Sequence, residues 1–253
     1  MIKDKKILVI GGGGLLGSHV VERILLEGGS VVAVDKNLDS MRNALKNLDI
    51  DSDSIKLEML AFDITNEMQT KDFFNQVKFL DGAVNCSYPR SKNYGAPFLN
   101  VSQNDFNLNV SLHLGSAFLF MRECVSYFEK TKLPFSLVNI SSIYGSSAPD
   151  FSIYGDTGIN MPIEYAAIKS AIIHMNKYVA KFVSNSSFRV NSVSPGGLFD
   201  DQPKEFVEAY RKKTLGTGMI DPSDITGAII FLLSNNAKYI NGQNIIVDDG
   251  FSI

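Results

Sequence analysis

The 253-residue sequence contains little cysteine and no long apolar run, and its charges nearly cancel. Its two cysteines, Cys86 and Cys124, form no C-x-x-C pair and have no histidine cluster nearby, so we expect neither a disulfide framework nor a metal site. No stretch approaches the roughly 18 consecutive apolar residues of a membrane span, and the amino terminus lacks the apolar core of a signal peptide. The 24 Lys and Arg against 27 Asp and Glu provide no basic patch for nucleic acid. We therefore expect a cytoplasmic protein that binds neither nucleic acid nor membranes.

Short runs rich in Val and Ile alternate with amphipathic segments along the whole chain. Such runs, bounded by turn residues, are typical of strands covered on both faces. They lie at Lys6–Ile10, Ser30–Val34, Ile55–Phe62, Gly82–Cys86, Phe135–Ile140, Arg189–Val193 and Gln243–Val247. Helical patterns lie near residues 15–27, 38–48, 66–79, 102–130, 163–184 and 222–234. This alternation predicts one α/β domain over residues 1–253, a doubly wound, seven-stranded parallel sheet with helices on both faces.

Two polar segments, 143–162 and 199–220, interrupt the alternation. Each follows the carboxyl end of a strand, where open α/β sheets bind ligands, so we expect substrate loops there. The aromatic residues of the first segment either wall a substrate or subunit interface or belong to a self-packed surface loop. The cations of the second either meet a phosphate or form a solvated helix face with neighbouring glutamates. The residues concerned are Tyr144, Phe151 and Tyr154 in the first segment and Lys204, Arg211, Lys212 and Lys213 in the second.

A glycine-rich turn over residues 11–17 joins the first strand to the first helix. Glycines let a pyrophosphate approach the backbone N–H groups at the positive helix N-terminus, and no Gly-Lys-Ser/Thr follows, which excludes a P-loop. Asp35 ends the second strand, where a carboxylate accepts hydrogen bonds from ribose hydroxyls and repels a 2′-phosphate. NAD is therefore favoured over NADP, although the neighbouring Lys36 weakens that preference. Asp63, after the third strand, either accepts from the adenine amino group or belongs to the start of the next helix.

Tyr165 and Lys169 are four residues apart in a predicted helix and share one of its faces. An ammonium beside a phenol lowers the pKa of the tyrosine from about 10 toward neutrality. Such a phenol is a general acid or base for a substrate hydroxyl or carbonyl, and the Ser142 hydroxyl is a candidate donor to the developing alkoxide. Taken alone, however, the Tyr-x-x-x-Lys spacing favours an exposed helix face on which the two side chains have no catalytic role.

Together, these motifs make the whole chain resemble the short-chain dehydrogenase/reductase family. The match continues to Pro195-Gly196 and to the C-terminal segment 242–250. The resemblance implies a Rossmann-type fold, a nicotinamide cofactor and hydride transfer to or from a secondary alcohol or ketone. Tyr165 is then the acid/base, Lys169 orients the nicotinamide ribose, and Ser142 positions the substrate. The implied cofactor-binding residues are Gly11, Gly14, Leu15, Leu16, Gly17, Asp35, Asp63, Ile64, Asn85, Tyr165, Lys169, Pro195, Gly196 and Leu198.

The chain also departs from the family pattern. The family has a short and an extended branch, and Leu15 replaces a glycine of the short-branch motif. The resulting spacing of Gly11, Gly14 and Gly17 resembles that of the extended branch, whose members mostly act on nucleotide sugars. Cys86-Ser87-Tyr88 replaces Asn-Ala-Gly. His113 stands where an asparagine usually helps relay protons through the lysine. It takes over that relay or couples it to pH, or else it is a histidine satisfied inside a helix; a one-residue slip would place Leu112 there instead.

The segment 140–169 further resembles oxidoreductases of bacterial flagellin modification and surface-sugar synthesis. It implies a sugar, sugar phosphate or nucleotide sugar as substrate. We therefore expect an NAD(P)-dependent oxidoreductase. The alternatives are an epimerase or dehydratase with recycled NAD, and a non-catalytic nucleotide-binding relative. The family pairs the helices at 102–130 and 163–184 between subunits, which implies a homodimer or homotetramer, although core burial explains much of their apolar pattern.

Overall fold

A computed structural model describes residues 1–155 and 157–253. Its centre is a seven-stranded sheet in the order β3-β2-β1-β4-β5-β6-β7. The strands are β1 Lys6–Ile10, β2 Ser30–Asp35, β3 Leu57–Ala61, β4 Gly82–Asn85, β5 Phe135–Ile140, β6 Phe188–Pro195 and β7 Asn244–Val247. Every neighbouring pair is parallel, which confirms the predicted sheet.

Helices flank the sheet and follow the predicted alternation. They are α1 Leu15–Leu26, α2 Leu38–Lys46, α3 Glu67–Gln76, α4 Gln103–Asn109, α5 Gly115–Thr131, α6 Ile163–Val183, α7 Lys204–Arg211 and α8 Pro222–Leu233. The predicted helix at 102–130 is in fact α4 and α5 joined by a π-helical turn, Val110–Leu114. None of the helices in residues 1–155 and 157–253 has the length and apolarity needed to cross a membrane.

The core is divided between the two faces of the sheet. Along β1, Ile7 and Val9 belong to one buried cluster, while Leu8 and Ile10 belong to the other. This alternation follows from the two-residue period of a strand. Residues of α1 and α8 cover the first face, and residues of α3, α5 and α6 cover the second. The sheet is thus doubly wound, as predicted.

The interrupting segment 143–162 is anchored to α7 rather than structureless. Ile153 and Tyr154 form a third buried cluster with Phe206 and Tyr210 of α7. Phe206 and Tyr210 are four residues apart, so a helix places both on one face. The predicted helical patterns did not include α7, because it is short and largely charged on its other faces, although a helix face was one of the two alternatives for its cations.

Candidate active site

A cavity of about 920 Å³ opens at the carboxyl ends of the strands, where the order reverses between β1 and β4. This is the place at which doubly wound sheets bind their ligands. Most of the residues predicted for the site line it: Gly11, Gly14, Leu15, Leu16, Asp35, Asp63, Ile64, Ser142, Tyr165, Lys169, Pro195, Gly196 and Leu198. Gly17, Asn85 and His113 lie behind this lining. The volume lies within the range of ligand and cofactor sites.

The glycine turn brings the N-terminus of α1 to the cavity. A Cβ atom on Gly17 would lie 1.9 Å from the carbonyl oxygen of Gly11, so the absence of a side chain at Gly17 allows the helix to pack on the turn. Gly14 caps α1 without a side-chain hydrogen bond, and the first turn contains no acidic residue. The N–H groups at the positive end of the helix dipole are therefore available to an anion. These residues fit a dinucleotide pyrophosphate.

Asp35 is fixed at the cavity wall by two backbone donors. Gly13 N–H donates to Oδ2 at 3.1 Å, and Asn37 N–H donates to Oδ1 at 3.4 Å. Each carboxylate oxygen has further lone pairs, so the group can still accept from ribose hydroxyls. Lys36 lines the same end of the cavity.

Asp63 and Asn85 both shape backbone turns. Asp63 Oδ1 accepts from the Thr65 N–H and hydroxyl at 2.9 and 2.7 Å, and Asp63 also lines the cavity. The cap of α3 is Asn66 rather than Asp63. Asn85 Oδ1 accepts from the Ser87 N–H and hydroxyl at 3.1 and 2.6 Å. The Asn85 side chain therefore holds the turn after β4, and its contact with the cofactor stays a prediction.

The end of β5 and the first turns of α6 bring Ser142, Tyr165 and Lys169 together at the cavity wall. Ser142 Oγ accepts from Tyr144 N–H at 3.2 Å. Lys169 Nζ donates to the carbonyl oxygen of Ile140 at 2.9 Å and lies 5.5 Å from the centroid of the Tyr165 ring. These contacts place a phenol, a hydroxyl and an amine around one part of the cavity.

Burial dominates the protonation of this group. It lowers the pKa of Lys169 to about 7. It also raises the pKa of Tyr165, and hydrogen bonding with Ser142 opposes that shift. The net shift of the Tyr165 pKa is therefore upward, opposite to the shift toward neutrality expected from the sequence. Desolvation of the phenolate is the largest effect on Tyr165, because a buried anion loses its hydration.

His113 lies behind Lys169, on the π-helical turn between α4 and α5. Its Nε2 is 3.5 Å from Lys169 Nζ, and only 3% of the residue is exposed. Burial, with a smaller contribution from the Lys169 charge, lowers the pKa of His113 to about 2. The histidine is therefore neutral across the physiological range, and the predicted coupling to pH is wrong. Leu112, the alternative from a one-residue slip, faces the cavity instead.

Tyr88 is the main feature of the site that the sequence interpretation missed. The centroid of its ring is 5.7 Å from that of Tyr165 and 5.1 Å from that of His113, both edge-to-face. Lys169 Nζ lies 5.6 Å from the same centroid. The replacement of Asn-Ala-Gly by Cys86-Ser87-Tyr88 was the only sequence signal. It identified a departure without showing that the new ring packs against the residues expected to be catalytic.

Aromatic residues wall the rest of the cavity. Tyr144, Tyr154, Phe206 and Tyr210 line it, and the Tyr154 hydroxyl donates to the Tyr144 oxygen at 3.1 Å. Phe151, by contrast, is 66% exposed. Tyr144 and Tyr154 thus belong to the wall of the cavity and Phe151 does not, so that a place for Phe151 in a subunit interface stays a prediction.

The cations of residues 199–220 lie outside the cavity lining. Lys213 pairs with Asp150 at 2.8 Å, and Lys204 lies 3.7 Å from Glu208 on α7. The Lys204 contact matches the alternative of a solvated helix face, whereas Lys213 lies beyond α7 and pairs with a residue of the first interrupting segment.

The whole chain is similar to known oxidoreductases. A protein-family model described as enoyl-(acyl carrier protein) reductase matches residues 15–252. The chain is 34% identical to post-translational flagellin modification protein A of Campylobacter coli, over 100% of both chains. It is 26% identical to the 3-oxoacyl-[acyl-carrier-protein] reductase FabG of Thermotoga maritima, over 100% of this chain and 99% of that protein. The crystal structure of a short-chain dehydrogenase from Leptospira borgpetersenii serovar Hardjo-bovis with bound NAD⁺ is 34% identical, with a TM-score of 0.87, over 100% of this chain and 94% of that one.

Proposed function

Because the chain belongs to the short-chain dehydrogenase/reductase family, and so to the NAD(P)-dependent oxidoreductases, we propose that it transfers a hydride between NAD and a secondary alcohol or ketone of a carbohydrate. The observation that supports this is the meeting of Ser142, Tyr165 and Lys169 in the same cavity as the glycine turn. A site that only bound nucleotides has no need of a phenol beside a buried amine.

In this proposal the proton is handled by the chain's own residues. A bound nicotinamide would supply or accept the hydride. In the reducing direction, Tyr165 donates its phenolic proton to the substrate carbonyl oxygen, and the Ser142 hydroxyl donates a hydrogen bond to the same oxygen. Lys169 Nζ, held by the carbonyl of Ile140, stabilises the phenolate left on Tyr165. His113 is neutral in the physiological pH range and can accept a hydrogen bond from Lys169.

We assign NAD as the preferred cofactor from the position of Asp35. Its carboxylate lines the cavity and is held by Gly13 N–H, next to the glycine turn. A carboxylate there accepts from two ribose hydroxyls and repels a 2′-phosphate. Lys36, in the same wall, is the residue that would favour NADP.

The carbohydrate substrate is inferred from two observations. The relative from Campylobacter coli is named for flagellin modification and is similar over its full length. The cavity wall also carries hydroxyl and amide groups, among them Tyr154, Asn160 and Gln202, which suit a polyhydroxylated ligand. We further propose that the enzyme is a homodimer or homotetramer in the cytoplasm.

Calorimetric titration of NADH and NADPH into the purified protein tests the cofactor assignment. We expect NADH to bind at least tenfold more tightly, a difference of about 1.4 kcal/mol, and Asp35→Asn to narrow that ratio. Tighter binding of NADPH would overturn the role of Asp35 and implicate Lys36.

A screen of sugars, sugar phosphates and nucleotide sugars tests the reaction, with simple 3-oxoacyl thioesters as competitors. We expect NADH-dependent turnover of at least one carbohydrate. Tyr165→Phe should lower kcat by roughly 10²–10⁴-fold and change the Kd for NADH little. Turnover of 3-oxoacyl thioesters alone would contradict the carbohydrate assignment. NAD that co-purifies and never exchanges would favour the epimerase or dehydratase alternative.

A further inference from the structure

The loop after β4 places a cation in the cavity wall that the mechanism does not use. Arg90 lines the cavity, and its guanidinium carbon lies 5.3 Å from the centroid of the Tyr88 ring. This distance is within the range of a cation–π contact, which is strongest for a planar guanidinium stacked on an aromatic face. The side chain is thereby held at the wall, although it is on an exposed loop.

The charge of Arg90 is not neutralised by a neighbouring carboxylate. Within residues 1–155 and 157–253, its guanidinium has no acidic partner within 4.0 Å. A guanidinium has five N–H donors in a rigid fork, and it matches phosphate or carboxylate oxygens in pairs. The exposed Lys213, by contrast, is already engaged by Asp150 at 2.8 Å.

The same ring connects this cation to the reacting groups. The centroid of Tyr88 lies 5.3 Å from the Arg90 guanidinium, 5.6 Å from Lys169 Nζ and 5.7 Å from the Tyr165 ring centroid. Arg90 and Tyr165 therefore both pack on the ring of Tyr88, so an anion bound by Arg90 lies in the same part of the cavity as the acid/base. That spacing suits a small substrate with an anionic group a few bonds from the carbon that is oxidised or reduced.

A cofactor pyrophosphate does not require Arg90. The uncapped N-terminus of α1, at Gly14 and Leu15, already presents backbone donors to the cavity. The loop that carries Arg90 follows β4, which lies between β1 and β5 in the sheet. It is thus on the side of the glycine turn that leads toward Ser142 and Tyr165.

We propose that Arg90, held on the ring of Tyr88, binds the anionic group, a phosphate or carboxylate, of the substrate. This inference rests on the proposed function, in which the cavity near Tyr165 receives the alcohol or ketone. It narrows the substrate to an anionic carbohydrate, such as a sugar phosphate or a sugar acid.

Binding of phosphate probes to the NADH-saturated protein tests this assignment, because saturating NADH occupies the pyrophosphate site. The probes are inorganic phosphate and two matched pairs: glucose 6-phosphate against glucose, and glycerol 3-phosphate against glycerol. Their affinities are measured by calorimetry for the wild type, Arg90→Gln, Arg90→Lys and Lys92→Gln. Lys92 is a matched control, since it carries the same charge two residues along the exposed loop and lies outside the cavity lining.

We expect each phosphate ester to bind at least tenfold more tightly than its neutral partner. Arg90→Gln should abolish both this preference and the binding of inorganic phosphate. Arg90→Lys should retain part of the preference and part of the phosphate binding, and Lys92→Gln should retain both in full. The Kd for NADH should stay within twofold in every variant.

Three results would overturn the assignment. The first is an equal affinity of the wild type for charged and neutral partners. The second is a preference for phosphate esters that is undiminished in Arg90→Gln, or that falls as much in Lys92→Gln as in Arg90→Gln. The third is a tenfold weaker binding of NADH in Arg90→Gln with the preference unchanged, which would assign Arg90 to the cofactor. Phosphate binding that depends on Arg90, without NADH oxidation by any carbohydrate ketone, would instead refute the proposed reaction and leave the anion site standing.

Discussion

Replacing Lys169 by methionine tests how burial controls the chemistry of the site. Lys169 is 4% exposed, and burial lowers its pKa from 10.5 to about 7. In the unfolded chain the amine keeps its ordinary pKa. Between pH 7 and 10.5 the unfolded state therefore binds one more proton than the folded state, and the free energy of unfolding rises with pH in that window. Below pH 7 the cost of burying the charged amine is fully present.

The size of the effect follows from the shift. One pH unit corresponds to about 1.36 kcal/mol, so Lys169 makes the folded state roughly 3 kcal/mol more stable at pH 9.5 than at pH 7. Lys169→Met keeps an apolar stem of similar length and removes the titration. We therefore expect Lys169→Met to be the more stable protein at pH 7. The difference in the free energy of unfolding between Lys169→Met and the wild type should then be smaller by roughly 3 kcal/mol at pH 9.5 than at pH 7. For a chain of this size, that change corresponds to roughly 6–12 °C in Tm.

Urea unfolding from pH 6.5 to 9.5, without added nucleotide, measures this gap. Other groups that titrate in the range contribute to both proteins and cancel in the difference. The exposed Lys92, changed to methionine, is the control and should give a difference that does not vary with pH. A constant gap between the wild type and Lys169→Met would refute the reasoning, because it would show that the buried amine keeps its proton and is solvated by Ile140 O and water.

Two further predictions concern the turn and the histidine. Gly17→Ala should destabilise the fold by about 1–3 kcal/mol in urea unfolding and weaken NADH binding, because its Cβ would lie 1.9 Å from the Gly11 carbonyl oxygen. Gly227→Ala in α8, where an added Cβ meets nothing within 4 Å, is the matched control and should stabilise the protein by about 0.5–1 kcal/mol; equal losses in the two variants would contradict the clash. His113→Asn should leave the shape of the kcat–pH profile unchanged between pH 5.5 and 7.5, because the pKa of His113 is held at about 2. Loss of an ionisation near pH 6.5 in this variant would show that the histidine titrates after all.

The sheet could be predicted from the sequence because its signal is local. β1, β2 and β5 are short apolar runs buried on both faces, and every predicted strand boundary lies within two positions of the observed one. The elements that the sequence did not reveal depend on contacts between residues distant in the chain or on local geometry that leaves no pattern. α7 is held by Phe206 and Tyr210, whose partners Ile153 and Tyr154 lie about 50 residues earlier in the chain. The π-helical turn has the same apolar pattern as the helix around it, so periodicity alone cannot reveal it.

In the active site, the ordered motifs predicted which residues line the cavity but not how the chain's departures from its family combine. Tyr88 and His113 were separate anomalies in the sequence, 25 positions apart. In the structure they pack edge-to-face, and both contact Lys169. The π-helical turn carries His113 to that position. A glycine at position 88 would leave the space beside Tyr165 open, whereas the tyrosine ring fills it and provides the surface on which Arg90 lies. Tyr88 and His113 therefore form one structural unit around the buried amine of Lys169, and two departures that are distant in the sequence act on the same part of the cavity.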